Sequence, residues 1–218
     1  MKVSLAVLPS YPKMLDDLSA ADGDMIRALD AARTSLALLD VGLGDLDLFV
    51  KRLARAQLDF GGDLSLQEYN VLVPLMGAAN DSLNRAGVAG AQASQLFNLA
   101  RSRQLVARIT LLGVGYPQDR YATLQNALQQ RVSNNGIDYA AMAHEDLTPG
   151  DVAAASIIAA DTNTTPQAII QEAKSTNRRI VDVANARGMS SQSLEIFLGL
   201  VYLDYVDDPA KEATNHPS

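Results

Sequence analysis

The stretch Ser191–Val206, SQSLEIFLGLVYLDYV, decides the fold class of this chain. Its apolar residues repeat at spacings of three and four, which is the period of an α-helix. They are Leu194, Phe197, Leu198, Val201, Tyr202 and Tyr205, with Ile196, Leu200 and Leu203 on the other side. A helix that is apolar on most faces is typical of a buried position. We therefore expect this helix to be central and Phe197 to be largely buried.

The same period recurs upstream, where Tyr121, Leu124, Leu128 and Val132 repeat it. No stretch shows the alternation of apolar and polar residues that marks a half-buried strand. Ala and Leu, which are strong helix formers, supply 33 and 30 of the 218 residues. The sequence therefore predicts an all-α protein, a multi-helix bundle.

Capping and stop signals divide the bundle into about nine predicted helices. Ser65 and Glu68 form a capping box, while Thr148 and Thr165 each precede a proline suited to the first helical position. Stop signals that contain glycine lie at Gly61-Gly62, Gly113–Pro117, Asn134-Asn135-Gly136 and Gly188. The predicted helices span 14–38, 45–59, 65–85, 90–112, 117–133, 149–161, 166–175, 178–187 and 191–206.

A domain boundary is predicted beside Gly136, at the end of the turn-forming run Asn134-Asn135-Gly136. The predicted helices before it are long, whereas those after it are short and closely spaced. The downstream part is close to the smallest size that builds its own core. We expect residues 1–136 to form an N-terminal helical subdomain and residues 137–218 a C-terminal helical subdomain packed against it.

Composition excludes several classes of function. With 48% hydrophobic and 20% charged residues, the chain is not disordered as a whole. It has no Cys and only two His, which excludes disulfides, thiol nucleophiles and zinc–thiolate sites. Its net charge of −7 disfavours general binding to nucleic acid or to anionic membranes. We expect no metal ion and no cofactor.

Targeting signals are sparse. The apolar run Val3–Leu8 is too short for the core of a signal peptide, and no run approaches the ~20 apolar residues of a membrane span. Thirteen Arg against five Lys are a compositional hint of a bacterial source. We expect a soluble cytoplasmic protein, or a periplasmic one whose signal peptide has already been removed.

The segment from Arg178 to Phe197 has the pattern of two helices joined by a tight turn. Ala184 is small enough for a helix crossing, Gly188 can adopt the left-handed conformation, and Ser190 can cap the second helix. This pattern resembles the helix-turn-helix unit of LacI-type repressors, and the resemblance implies a DNA-binding regulator. The residues that would then contact DNA are Arg178, Arg179, Arg187, Ser191 and Gln192.

The charges near this helix-turn-helix-like unit favour a structural role over DNA recognition. Contacts to base edges and phosphates are made mostly by Arg, Lys, Asn and Gln. The second helix instead carries Glu195 and Asp204, and no basic residue follows Arg187 before Lys211. We expect no appreciable binding to duplex DNA at physiological salt.

Positive charge is concentrated in the middle of the chain. Residues 82–137 contain six Arg and one acid, whereas residues 14–48 contain eight Asp and two Arg. Arg101 and Arg108 are seven residues apart and share a helix face. Together with Arg85, they are the candidate partner-binding residues. One interpretation is that they are structural, either packing beside the acidic helices or facing solvent. The alternative is a strip that binds an acidic partner, including a second copy of the chain.

Enzyme motifs are weak. His144 followed by Glu145 begins like the helix of a zinc protease, but Thr148 stands where a second histidine is required. If the chain is an enzyme, His144 with Glu145 or Asp146 is the best acid–base candidate. We expect instead a non-enzymatic helical interaction or scaffold protein that self-associates or binds a protein partner. The alternatives are a helix-turn-helix DNA-binding regulator and a helical-bundle enzyme or small-molecule binder.

Overall fold

The structure, a computed structural model, describes residues 10–60, 64–113, 117–132 and 147–206. Every regular element in these ranges is a helix, so the predicted all-α class is confirmed. The helices are α1 (Ser10–Phe60), α2 (Leu66–Gly113), α3 (Pro117–Arg131), α4 (Pro149–Asp161), α5 (Pro166–Ser175), α6 (Ile180–Ala186) and α7 (Ser191–Val206).

The described ranges hold seven helices rather than nine, because the first four predicted helices are two continuous ones. The interruptions expected at 39–44 and 86–89 lie inside α1 and α2. Gly42, which lies in the first of these expected interruptions, is buried against α2, and a Cβ there would lie 3.0 Å from Leu83 Cγ. A glycine inside a helix costs only about 1 kcal/mol, which close packing can offset. Gly42 therefore marks a close contact between two helices.

Contacts divide the chain into two compact units. Unit 1 is Met1–Met25 together with Phe97–Ser218, and unit 2 is Ile26–Leu96. Helices α1 and α2 each contribute residues to both units. The boundary predicted at 136/137 lies outside the described residues, and the two subdomains drawn from it stay a prediction.

The described part of unit 2 is an antiparallel pair of helices. Ser35 Oγ donates a hydrogen bond to the Ala86 carbonyl (2.8 Å), while Gly42, farther along α1, lies near the Ala79 carbonyl. Small residues occur every seven positions on the facing sides, and a repeat of seven is the period of a coiled coil. They are Ala28, Ser35, Gly42 and Ala56 in α1, where Phe49 interrupts the series, and Ala79, Ala86 and Ala93 in α2. The two helices therefore approach closely.

The core of unit 1 surrounds α4. Every residue from Pro149 to Ala159 is buried, and α4 contacts α3, α5, α6 and α7. A capping box fixes its start, in which Thr148 Oγ1 accepts a hydrogen bond from Asp151 N and the Asp151 carboxylate accepts one from Thr148 N. Gly150 N donates to Thr110 Oγ1 of α2 (3.3 Å). Small residues thus let other helices pack closely around α4.

Helix α7 is not the central helix that the sequence predicted. Leu194, Leu198 and Val201 are fully buried, but Phe197 is 37% exposed and Leu203 is 54% exposed. The expectation of a largely buried Phe197 is therefore wrong. The physical reason is that α7 packs one face against α3, α4 and α6, and this leaves apolar residues on its other side exposed.

Candidate functional site

The three arginines of the predicted strip differ in their surroundings. Arg101 Nε donates to Glu195 Oε1 (2.8 Å), and Arg85 lies 3.7 Å from Asp81. Arg108 is exposed. Arg85 belongs to unit 2 and the other two to unit 1. Because Arg85 and Arg101 are partly neutralised by carboxylates of the same chain, Arg108 is the strongest of the three as a contact for an acidic partner.

Two arginines of the helix-turn-helix-like unit bind carboxylates. Arg179 lies 2.8 Å from both Asp16 Oδ2 and Asp17 Oδ1, while Arg187 lies 2.6 Å from Glu172 Oε2. Each of these pairs joins the unit to another helix of unit 1. Their charges are therefore partly neutralised, which reduces their value as phosphate contacts.

The other residues assigned to DNA contact are placed differently. Ser191 is buried, whereas Arg178 and Gln192 are exposed. In the turn between α6 and α7, Gly188 has a φ of +89°, and Ser190 Oγ accepts a hydrogen bond from Ser193 N (3.0 Å). These are local features of a glycine turn and a serine cap. The expectation that this unit does not bind duplex DNA stays a prediction, and a DNA-binding regulator stays the alternative.

The acid–base candidates His144, Glu145 and Asp146 lie outside the described residues, so that hypothesis stays a prediction. Among the residues that the structure describes, no group of three or more His, Asp or Glu side chains could hold a metal ion. None of the described helices is both long and apolar enough to cross a membrane.

A cleft of about 450 Å³ lies in unit 1 among α3, α4, α7 and the turn after α4. Arg131 lines it, but its guanidinium makes two hydrogen bonds to the Asp204 carboxylate (2.7 and 3.0 Å). This pairing lowers the pKa of Asp204 below its usual value. The remaining lining residues are aliphatic or neutral and polar, except for Asp161, which is acidic, and Phe197, which is aromatic.

A buried ion cluster joins three helices of unit 1. Arg103 of α2 is 7% exposed and lies 2.9 Å from Asp24 Oδ2 of α1 and 2.7 Å from Asp182 Oδ1 of α6. Sequence reasoning missed this cluster because the three residues are far apart in the chain. The available signal was that Asp24 and Arg103 each continue the seven-residue core spacing of their helix (Asp24 with Ala31 and Leu38).

A second acidic group lies where α1 meets α4. Burial, followed by the nearby Asp151 carboxylate, raises the pKa of Asp17 to about 6, although Arg179 and Lys13 act in the opposite direction. Lys13 Nζ lies 2.6 Å from Asp151 Oδ2. Asp17 therefore titrates in the mildly acidic range when the chain is folded.

We expect Asp17→Asn to reduce the pH dependence of stability. The folded-state pKa of about 6 exceeds the reference value of 3.8, so between these values the folded chain binds a proton that the unfolded chain has released. The contribution of Asp17 to stability is thus greatest below pH 4 and falls as the pH rises through 6. Relative to wild type, Asp17→Asn should gain up to about 3 kcal/mol between pH 4 and 7.5.

Urea unfolding followed by circular dichroism at pH 4, 5.5 and 7.5 measures this difference. Asp16→Asn is the matched control, because Asp16 also binds Arg179 but its side chain is 68% exposed. Equal pH slopes for Asp17→Asn and wild type would contradict the assignment.

The most distinctive surface of unit 2 is apolar. A second repeat of seven runs along α1 beside the buried one, through Leu29, Leu36, Leu43 and Val50. These side chains are 54%, 66%, 60% and 59% exposed. Leu39, three residues after Leu36, is 37% exposed. Alternating steps of three and four along one face are the signature of a coiled-coil seam, which normally packs against another helix.

Helix α2 continues this surface. Leu66, Tyr69, Val73 and Met76 are 78%, 54%, 50% and 55% exposed. Each stands one or four residues after a core position of α2, and the exposed leucines of α1 stand one or four residues after core positions of α1. In an antiparallel pair, these positions of the two helices lie on the same side. We call this surface the outer face. It comprises Leu29, Ala32, Leu36, Leu39, Leu43, Leu46, Val50 and Leu53 of α1, and Leu66, Tyr69, Val73, Met76, Asn80, Leu83, Gly87 and Gly90 of α2.

The other side of the helix pair is more polar. A groove of about 360 Å³ lies there, lined by charged and polar residues as well as apolar ones. Arg27, Asp30, Thr34 and Gln92 supply its polar groups. The outer face itself contains no charged residue in either helix. The two sides of the pair are therefore chemically distinct.

The chain matches no protein-family model, no curated protein and no solved structure. The case for its function therefore comes from its own residues.

Proposed function

We propose that this protein is a non-enzymatic helical interaction protein, which self-associates or binds a protein partner through the outer face of unit 2. The observation that carries this proposal is the uncharged row of half-exposed side chains along α1 and α2. Contiguous exposed apolar patches larger than a few hundred Å² are rare on monomeric proteins and mark interaction sites.

The spacing of the row supports a helical partner. Residues seven apart return to the same side of a helix that supercoils around another, so Leu29, Leu36 and Leu43 form a straight seam. A surface that binds lipid or a small molecule would not require a seven-residue repeat. The outer face extends over residues 29–53 of α1, which is about 37 Å of helix.

In this proposal the helix-turn-helix-like unit contributes packing within unit 1. Its two bound arginines, Arg179 and Arg187, hold helices together. Arg108 is available for contacts with an acidic part of the partner.

We expect two charges on the outer face to abolish association. The test variant carries Leu36→Glu with Leu43→Glu, which places carboxylates in the middle of the seam. The matched control carries Val41→Glu with Leu48→Glu, also seven apart and exposed (54% and 43%) but on the polar side of the same helix. An unpaired buried charge costs several kcal/mol, so the outer-face variant should bind at least about 100-fold more weakly.

Light scattering of the purified chain measures self-association, and affinity capture from the cell of origin, quantified for each variant, measures binding of partners. The proposal requires an assembly of either kind that the control keeps and the outer-face variant loses. If both variants behave as wild type in both measurements, or if wild type forms no assembly at all, the proposal is wrong.

A further inference from the structure

We infer that the outer face is covered by a second copy of this chain, whose α1 lies antiparallel to the first α1, so that two helix pairs form a four-helix bundle. This inference rests on the proposed function and names the partner. Three properties of the outer face support it: its size, its distribution of bulky and small residues, and the charges along its border.

The outer face has the size that a stable dimer requires. It is about 37 Å long and two helices wide, and each helix has a diameter of about 10 Å. Its area is therefore about 750 Å², close to the roughly 800 Å² that each partner buries in a standard interface. A closed two-fold dimer uses the same patch on both copies, so a single face is sufficient.

Helix α2 has a bulky half and a small half on this face. Val73 and Met76 project in the first half, whereas Gly87 and Gly90 follow in the second, and a Cβ at Gly87 would meet open space. Ser35 lies level with Ala86, and Gly42 level with Ala79. The start of α2 at Leu66 is therefore level with residue 55 of α1, and the end of unit 2 at Leu96 with residue 25. Residue 40 of α1 thus marks the middle of the pair. Rotation of a copy about a two-fold axis at this level places Met76 within one residue of the level of Gly87, and Val73 within one residue of the level of Gly90. The bulky half then fills the space left by the small half.

Charges on the border of the outer face favour the same arrangement. Arg33, Asp40 and Asp47 occur every seven residues along the outer edge of α1. In the antiparallel arrangement Arg33 lies level with Asp47 of the second copy, and this attraction occurs twice in the dimer. Each residue also has an exposed partner in its own chain, Asp30 for Arg33 (3.4 Å) and Lys51 for Asp47 (2.6 Å), so the attraction across the dimer is between partly neutralised charges. Asp40 lies level with Asp40 of the second copy at the axis, and this single like-charge pair is unfavourable. If the two α1 helices were instead parallel, each of these residues would lie level with a like charge, which is unfavourable.

A cysteine placed near the axis tests the geometry, because the chain has no Cys of its own. Leu39→Cys lies next to the axis, where a residue and its copy come within the about 4.4–6.8 Å between Cα atoms that a disulfide needs. We expect mild oxidation to link Leu39→Cys into a covalent dimer. Thr34→Cys, which lines the groove on the polar side, is the matched control and should stay unlinked.

Sedimentation equilibrium of the full chain tests the stoichiometry. We expect wild type and the Val41→Glu/Leu48→Glu control to have twice the chain mass of 23.3 kDa. The Leu36→Glu/Leu43→Glu variant should be a monomer with unchanged helical circular dichroism, since its changed residues are exposed in the single chain.

The possible failures are distinguishable. A monomeric wild type that still captures another protein through the outer face would overturn this inference and keep the proposed function. A dimer in which Leu39→Cys stays unlinked would overturn the antiparallel pairing of α1 helices. A dimer that only the polar-side control disrupts would overturn both proposals.

Discussion

Gly150→Ala is expected to unfold the core of unit 1. A Cβ at Gly150 would lie 2.1 Å from the Val106 carbonyl oxygen, 2.8 Å from the Val106 carbonyl carbon and 2.7 Å from Thr110 Oγ1. The two nearest Val106 atoms belong to the backbone of α2 and cannot rotate away, so α2 and α4 would have to separate. Overpacking a core usually costs 1–3 kcal/mol, and we expect about 4 kcal/mol or more here.

Thermal and urea unfolding followed by circular dichroism measure this effect. Gly199→Ala is the matched control within the same unit, because its Cβ would meet only Leu105 Cδ1 at 4.0 Å. That variant should be neutral or slightly stabilising, since alanine favours the helix by about 1 kcal/mol. If Gly150→Ala unfolds at the same urea concentration as wild type, the close crossing of α2 and α4 is wrong.

Arg103→Met is expected to destabilise unit 1 by about 3–5 kcal/mol. The substitution keeps a long aliphatic side chain but removes the guanidinium between Asp24 and Asp182. Asp24 is 0% exposed, so its carboxylate would lose a nearby cation where water cannot replace it. The loss should show in the same urea unfolding measurement, at neutral pH.

Asp24→Asn in the Arg103→Met background separates charge from packing. We expect the second change to recover part of the loss, because it removes the buried carboxylate, and the double-mutant cycle should give a coupling of at least about 1 kcal/mol. Arg101→Met is the control: its pair with Glu195 is half exposed and should contribute less than about 1 kcal/mol. Equal effects for Arg101→Met and Arg103→Met would contradict the role of the buried cluster.

The short helices could be predicted from the sequence because their ends carry local signals. Helices α4, α5 and α7 span the residues that were predicted for them. Thr148 and Thr165 were expected as caps, and the hydroxyl of each accepts a hydrogen bond from the backbone N–H three residues later. A cap depends on only four adjacent residues, so it can be recognised without knowledge of the rest of the fold.

The long helices and the outer face could not be predicted in the same way. Gly42 and Gly44 resemble a turn locally, and the antiparallel neighbour that makes Gly42 favourable lies about 40 residues away in α2. A break at residues 39–44 places Leu36 and Val50 in different helices and Leu43 in neither. The seven-residue repeat is then not recognisable. The ion cluster was missed for a related reason, since Arg103 and Asp182 are 79 residues apart.

The discontinuous composition of unit 1 has a consequence for synthesis on the ribosome. Asp17 and Arg179 are 162 residues apart, so at about 5–20 residues per second the aspartate is made roughly 8–32 s before its partner. The residues of unit 2 are completed within that interval. Met14 and Ala21 at the start of α1 are buried in the folded protein. During that interval they therefore lack the C-terminal residues of unit 1. Nascent chains of this protein expose an incomplete core until helices α4 to α7 have been made.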